Sequence, residues 1–299
     1  MKIYVYVFIC MNLLEEDTIF LLILVFADML DELQEHVESF DMANDLHSIG
    51  GLVPLLGYLK SSHANIRRKA AEVVSTIVQN NPRDQQLVME ANGLEQLLSN
   101  FTLDPDVLVR TKSLGAISSL IRHNKPGISA FRLANGYAAL RDALSSGDVR
   151  FQRKALNLIH YLLNENHSEC HIVTELGFHH ILMNLASSED ANVREAALWG
   201  LLDLAQDRPG KFDSIPNEED DRLKQILQER IKEIGKMSAE DLGAAKEERQ
   251  LVDSIWSACF NEPSSLREKG LLVLPGEDSS PPDVTNNHFE PPLRAWAAN

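Results

Sequence analysis

The sequence predicts an all-α fold of stacked repeats, an α-solenoid of about four units with helical caps. Three observations carry that reading. Two landmarks return independently at nearly one interval, apolar residues around them follow helical spacing, and the alternation of period two that marks strands is absent.

The first landmark is a glycine that opens an apolar stretch: Gly51, Gly93, Gly136 and Gly177, at steps of 42, 43 and 41. The second is a small residue inside a helical pattern: Ala70, Ser113, Ala155 and Ala197, at steps of 43, 42 and 42. Ile66, Ala70, Val73, Val74 and Ile77 illustrate the spacing i, i+4, i+7, i+8, i+11, one face of a helix. Val109, Ser113, Ala116, Ile117 and Leu120 repeat it, as do Phe151, Ala155, Leu158, Ile159 and Leu162. Val193, Ala197, Leu201 and Leu204 complete the set. Each unit therefore reads as a shorter helix opened by glycine, a polar turn and a longer helix. Pro82, Pro126 and Pro209 mark where the long helices end, because proline cannot continue a helix. A period near 42 lies within the roughly 40–47 residues of armadillo and HEAT repeats.

The chain divides accordingly. Residues 1–27 form an atypical apolar N-terminus, in which Ile3–Leu14 and Thr18–Ala27 flank Glu15-Glu16-Asp17. Neither run reaches the roughly 18–20 residues that span a bilayer. An unusual terminus, a buried or interfacial helix and a secretory signal all remain open there. Residues 28–50 form an acidic N-terminal cap with Met29, Leu30, Leu33, Val37 and Phe40 on one stripe, and residues 51–209 hold the repeats. Residues 218–262 supply C-terminal capping helices: one with Leu223, Ile226, Leu227, Ile231 and Ile234 on a face, and another headed by the capping box Ser238–Asp241. Residues 263–299, with Pro281-Pro282 and Pro291-Pro292, read as an extended or disordered tail.

Composition narrows function. The 299 residues carry a net charge of −16, split as −9 over residues 1–59, +1 over 60–199 and −8 over 200–299. That balance argues against a nucleic-acid partner, which needs a basic excess. Three cysteines, an odd number without a Cys-x-x-Cys pair, suit a reducing compartment better than a disulfide framework. No glycine-rich phosphate loop or nucleophile elbow is present, so no catalytic residue, metal, cofactor or direct nucleotide binding is expected. His160, His167, His171, His179 and His180 gather near Cys170, but mostly in a polar connector where solvated histidines are common. Asn100 and Asn166 head glycosylation sequons that matter only in a secreted chain.

What remains is a surface. In an armadillo stack the long helices line the concave side, and the face beside their core runs at i, i+3, i+7, i+10. The candidate partner-binding residues on it are Lys69, Glu72 and Thr76, then Lys112, Ser119 and Arg122, then Lys154, Asn157 and Tyr161, then Trp199 and Asp203. Tyr161 and Trp199 are candidate anchors, since aromatics on a polar stripe often dominate binding. Packing against a neighbouring repeat is the other reading for both. Lys69, Lys112 and Lys154 form a basic row.

Longer motifs carry a resemblance. Met29–Glu38, Asp41–His47 and Ile49-Gly50-Gly51 resemble the armadillo nucleotide-exchange factors of the 70-kDa heat-shock chaperone, the Fes-type and heat-shock-protein-binding proteins, in their plant cytosolic branch. Gln79–Pro82, Ala91–Leu94, Leu120–Asn124, Val149–Leu156, Arg194–Leu198, Lys246–Val252 and Leu274–Asp278 extend the likeness from about Asp28 to the C-terminus. The resemblance implies a non-enzymatic co-chaperone that wraps its concave face around one lobe of the heat-shock protein 70 ATPase domain and displaces the other, releasing ADP. It implies a cytoplasmic monomer; a related branch with a signal peptide works in the endoplasmic reticulum. Residues 1–27 and the stop at Asn299 depart from the family pattern. The competing function is an armadillo scaffold that binds an extended peptide, as import receptors do. Such receptors repeat Trp and Asn along the groove, whereas the Trp-type positions here are Glu72, Gly115, Asn157 and Trp199.

Overall fold

The computed structural model describes residues 16–166, 169–206 and 218–272, with side chains from residue 21 onward. The apolar run Ile3–Leu14, Pro209 and the double prolines of the tail lie outside these residues. The described chain is helical: α1 (Glu16–His36), α2 (Phe40–Ser48), α3 (Leu52–Tyr58), α4 (Ala64–Val78), α5 (Pro82–Glu90), α6 (Gly93–Leu103), α7 (Val107–Ile121), α8 (Lys125–Leu133) and α9 (Gly136–Leu144). There follow α10 (Val149–Glu165), α11 (Cys170–Glu175), α12 (Phe178–Leu185), α13 (Ala191–Gln206), α14 (Glu218–Ile234), α15 (Ala239–Ala244), α16 (Lys246–Phe260) and α17 (Ser265–Glu268). No described helix is long and apolar enough to cross a membrane.

Each unit has three helices, not the two expected. Pro82 and Pro126 end nothing by themselves; they sit in the first turn of an additional short helix, where a missing N–H is harmless. Asn81 and Asn124 cap those helices by accepting from the backbone N–H of Asp84 and Gly127. Three of the four long helices are capped on the repeat: Asp106, Asp148 and Asp190 accept from the N–H of Val109, Phe151 and Val193, while His63 before α4 makes no side-chain cap. Turns before three of the four long helices are stapled by side chains in the repeat register, in units one, three and four. Arg67 donates to the carbonyl of Ser61, Gln152 to that of Ser146 and Arg194 to that of Ser188.

The glycine landmark hides two jobs. At Gly136 a Cβ would lie 2.4 Å from the Phe131 ring, and at Gly93 it would lie 2.9 Å from the Val88 carbonyl, so helices cross there with no room for a side chain. Gly177 instead adopts φ +76°, the left-handed position that Asn92 and Asn135 fill in earlier units. Its step of 41 is therefore one residue short of the structural register, and Phe178 stands where Gly136 does.

All the apolar positions expected on the long helices are buried. The long helices stack in one row, α4 on α7, α7 on α10 and α10 on α13. Two caps extend the row: α1 packs on α4 at one end and α16 on α13 at the other. Helix α1 runs through the boundary expected at residue 27, and the stretch expected to cap the array alone is split, α2 being the first short helix of unit one. Leu30 and Val37 are buried as expected, but Met29 and Phe40 face solvent; the break at residues 37–39 takes Phe40 off the helical stripe.

At the other end the single expected helix breaks at Ala245 into α15 and α16. The start of the expected tail is docked: Leu266 is buried, and Arg267 holds Asp253 at 2.7 Å. Burial alone would push the Asp253 carboxyl up, but hydrogen bonds from Arg267 and Ser264 outweigh it and hold the group below its ordinary value of 3.8. A depressed folded value stabilises above the unfolded one and fades as pH falls through the folded one. Asp253→Asn is therefore expected to lose stability at neutral pH and to show a shallower loss below about pH 4. Urea midpoints at about pH 7 and about pH 3 check both slopes.

Candidate functional site

The row of long helices presents one polar face, and between α7, α10, α13 and α16 it sinks into a depression of about 680 Å³. Its lining includes Lys112, Arg150, Arg153, Lys154, Asn157 and Trp199. Of the eleven expected site residues, Lys112, Lys154, Asn157 and Trp199 meet there. Lys69, Glu72, Thr76, Ser119, Arg122, Tyr161 and Asp203 lie outside the lining.

Most of those seven hold repeats together. Lys69 pairs with Asp31 of α1, and Glu72 pairs with Lys112 of α7. The hydroxyls of Ser75 and Ser119 meet at 2.9 Å across α4 and α7. Thr76 donates to the Glu72 carbonyl of its own helix. Tyr161 is half-buried: its hydroxyl accepts from the His123 N–H at 2.6 Å, and the Arg122 guanidinium lies 4.4 Å from its ring centre. Asp203 is buried and accepts from His160 Nδ1 at 2.8 Å. Tyr161 thus follows the packing alternative. Trp199 differs, since it remains 39% exposed, its ring tilted against that of His160 at 5.2 Å between centres.

The electrostatics are divided. Arg150, Arg153 and Lys154 project from α10 on one side, while Glu195 and Glu247 line the other. Burial, then the charge of Lys112, lowers the Lys154 pKa, with Glu72 opposing. Burial, then Glu247 and Glu248, raises that of Glu195. Neither Arg150 nor Arg153 was a candidate, although they stand four and one residues before Lys154. Glu195 and Glu247 come from different layers, and only the fold brings them together.

Among the described residues no group of three His, Cys, Asp or Glu could hold a metal. The histidine cluster splits: His160 goes to Asp203, His179 and His180 lie 3.5 and 3.0 Å from the one carboxylate of Glu219, and His167 is outside the described residues. Asn100, head of one sequon, donates to the Leu59 carbonyl at 2.8 Å and bridges two units.

Comparison with known proteins agrees with this architecture. Residues 42–171 match the SIL1/FES1/HPBP1 C-terminal domain. Hsp70-binding protein 1 of Homo sapiens is 26% identical over 236 residues, 79% of this chain and 64% of that protein. The Hsp70 nucleotide exchange factor FES1 of Mycosarcoma maydis is 31% identical over 134 residues, 45% of this chain and 34% of that protein. The chain thus spans just under two thirds of the length of the Hsp70-binding protein 1 relatives. Among solved structures, a designed armadillo repeat protein in complex with the peptide (KR)4 superposes with a TM-score of 0.59 at 19% identity, covering 77% of this chain and 91% of that one. An engineered protein reaches 0.62 at 17% identity, covering 79% and 92%. These likenesses establish the armadillo-type solenoid.

Proposed function

We propose that this relative of Hsp70-binding protein 1 and FES1 is a nucleotide-exchange factor of a 70-kDa heat-shock chaperone, acting through the face of its long helices. The observation that carries the reading is the domain match over residues 42–171, which covers α3 to α10 and so most of that face. The physical logic is leverage. Opening a two-lobed ATPase takes a rigid surface that grips one lobe and bulk that collides with the other. A solenoid braced by caps at both ends has both properties. The chain itself binds no nucleotide and performs no catalysis in this scheme. A cytoplasmic monomer belongs to the same proposal; the odd cysteine count supports a reducing compartment.

An exchange factor must bind the open, nucleotide-free ATPase domain more tightly than the ADP-bound one, because equal affinity shifts no equilibrium. Calorimetric titration of the isolated ATPase domain with and without ADP tests this; equal affinities would sink the proposal. Trp199 is the expected anchor. Trp199→Ala should stay folded with a modestly lower melting temperature, since the ring is only part-exposed, and weaken binding by about 2 kcal/mol or more, roughly 30-fold. A peptide scaffold is the second reading. The cations Arg150, Arg153 and Lys154 disfavour a basic peptide of the kind held by the designed relative, and one tryptophan does not make a repeating ladder.

A further inference from the structure

The polar face contains a ladder that stops one rung early. In two successive layers, a lysine near the start of a long helix pairs with a carboxylate of the preceding helix. Lys69 on α4 takes Asp31 on α1, and Lys112 on α7 takes Glu72 on α4. Lys154 on α10 holds the same register, 42 residues after Lys112, as Lys112 stands 43 after Lys69. The residue on α7 that corresponds to Glu72 is Gly115, 43 positions on. No carboxylate is there. A Cβ on Gly115 would lie 3.2 Å from the Lys154 ammonium, so the cation rests against the bare helix where its partner belongs. Among the described residues Lys154 forms no ion pair, and Glu72 is already closed on Lys112.

The surroundings sharpen the vacancy. Contact between α7 and α10 is the loosest in the row, and the depression opens there. Arg150 and Arg153 add two more cations on the same side, and neither is in an ion pair among the described residues. The acids of the lining, Glu195 and Glu247, stand on α13 and α16, across from this side. Lys154 itself stays exposed to solvent, so its ammonium is open to a partner.

We infer that the third rung is completed by the partner: an Asp or Glu side chain of the bound protein seats on Lys154 over Gly115, flanked by Arg150 and Arg153. The inference rests on the proposal that this face grips a protein, and it names the chemistry of that contact. A charge pair desolvated at an interface contributes far more than one at a rim, so the rung sets which surface patch of the partner can dock.

Filling the rung from within is the test. Gly115→Glu supplies the missing carboxylate in the geometry of Glu72, and Gly115→Ala supplies the same backbone change without charge. Both are expected to fold and to melt no lower than the native chain, because glycine inside a helix is replaced by a better helix former. Gly115→Glu and Lys154→Met should each weaken binding of the chaperone ATPase domain at least about tenfold, whereas Gly115→Ala and Lys69→Met should stay within about twofold. A second probe separates this inference from the identity of the partner. A fluorescent peptide of alternating Glu and Asp should bind the native chain and lose binding in Lys154→Met, and a Lys-Arg peptide of equal length should not bind. If the ATPase domain fails to bind but the acidic peptide binds through Lys154, the exchange proposal falls and the open rung stands. If Gly115→Glu and Lys154→Met bind both probes as the native chain does, or if neither probe binds through Lys154, the open rung is overturned.

Discussion

Replacing Glu248 with alanine is expected to lower stability by about 3 kcal/mol, since it removes the carboxylate that two buried guanidinium groups share and leaves Arg230 only its pair with the exposed Glu233 and Arg194 only carbonyl partners. The Glu248 side chain is 1% exposed. It accepts from Arg194 at 2.9 and 3.0 Å and from Arg230 at 2.8 and 2.5 Å. These residues belong to α13, α14 and α16, so one carboxylate ties the last repeat to the two longer helices of its cap. Its attraction to the arginines offsets the cost of removing three charges from water only while the set is complete. Glu248→Gln should fall between native and alanine, because it keeps two acceptor lone pairs and loses the charge. Urea unfolding at constant slope measures the difference. A loss below about 1 kcal/mol would show that the triad is solvated in solution, as exposed pairs are.

Ile117→Asp should be more disruptive still. Ile117 is 0% exposed in the middle of α7, which packs on both α4 and α10. A carboxylate there is buried without a partner, at a cost of several kcal/mol, on the order of a whole domain's stability. Position adds to chemistry. Stacked repeats are stabilised chiefly at their shared interfaces, and a central layer contributes to two of them. Thermal melting followed by circular dichroism should show loss of the cooperative transition at 37 °C. An unchanged melting curve would refute the core assignment and the repeat register built on it.

The register was legible because it recurs. Small residues at Ala70, Ser113, Ala155 and Ala197 mark the buried seam of each long helix, and all four are buried. Harder to see was a third helix per unit, since Asn81-Pro82 and Asn124 with Pro126 read equally as a stop and as a start. Gly177 misled the count by one because glycine serves both a left-handed turn and a close crossing.

The candidate site was legible as a stripe and not as a set of contacts. Lys69 lies 38 residues from Asp31 and Lys112 lies 40 from Glu72, each near one repeat, so period arithmetic could have paired them. The arginines on Glu248 are 54 and 18 residues away, and no period relates them. Tyr161 and Trp199 occupied similar stripe positions in the sequence. The structure separates them because His123, in a left-handed turn at φ +54°, offers its N–H to Tyr161, while Trp199 faces the depression.

In the function proposed, this face opens the nucleotide site of a 70-kDa heat-shock chaperone. The most direct measurement is the release rate of fluorescent ADP from such a chaperone, chased with ATP, at rising concentrations of this chain. Saturable acceleration by the native chain is expected, retained by Tyr161→Phe and lost by Trp199→Ala with its fold intact. No acceleration by a folded native chain, or acceleration by Trp199→Ala at the native rate, would contradict that function.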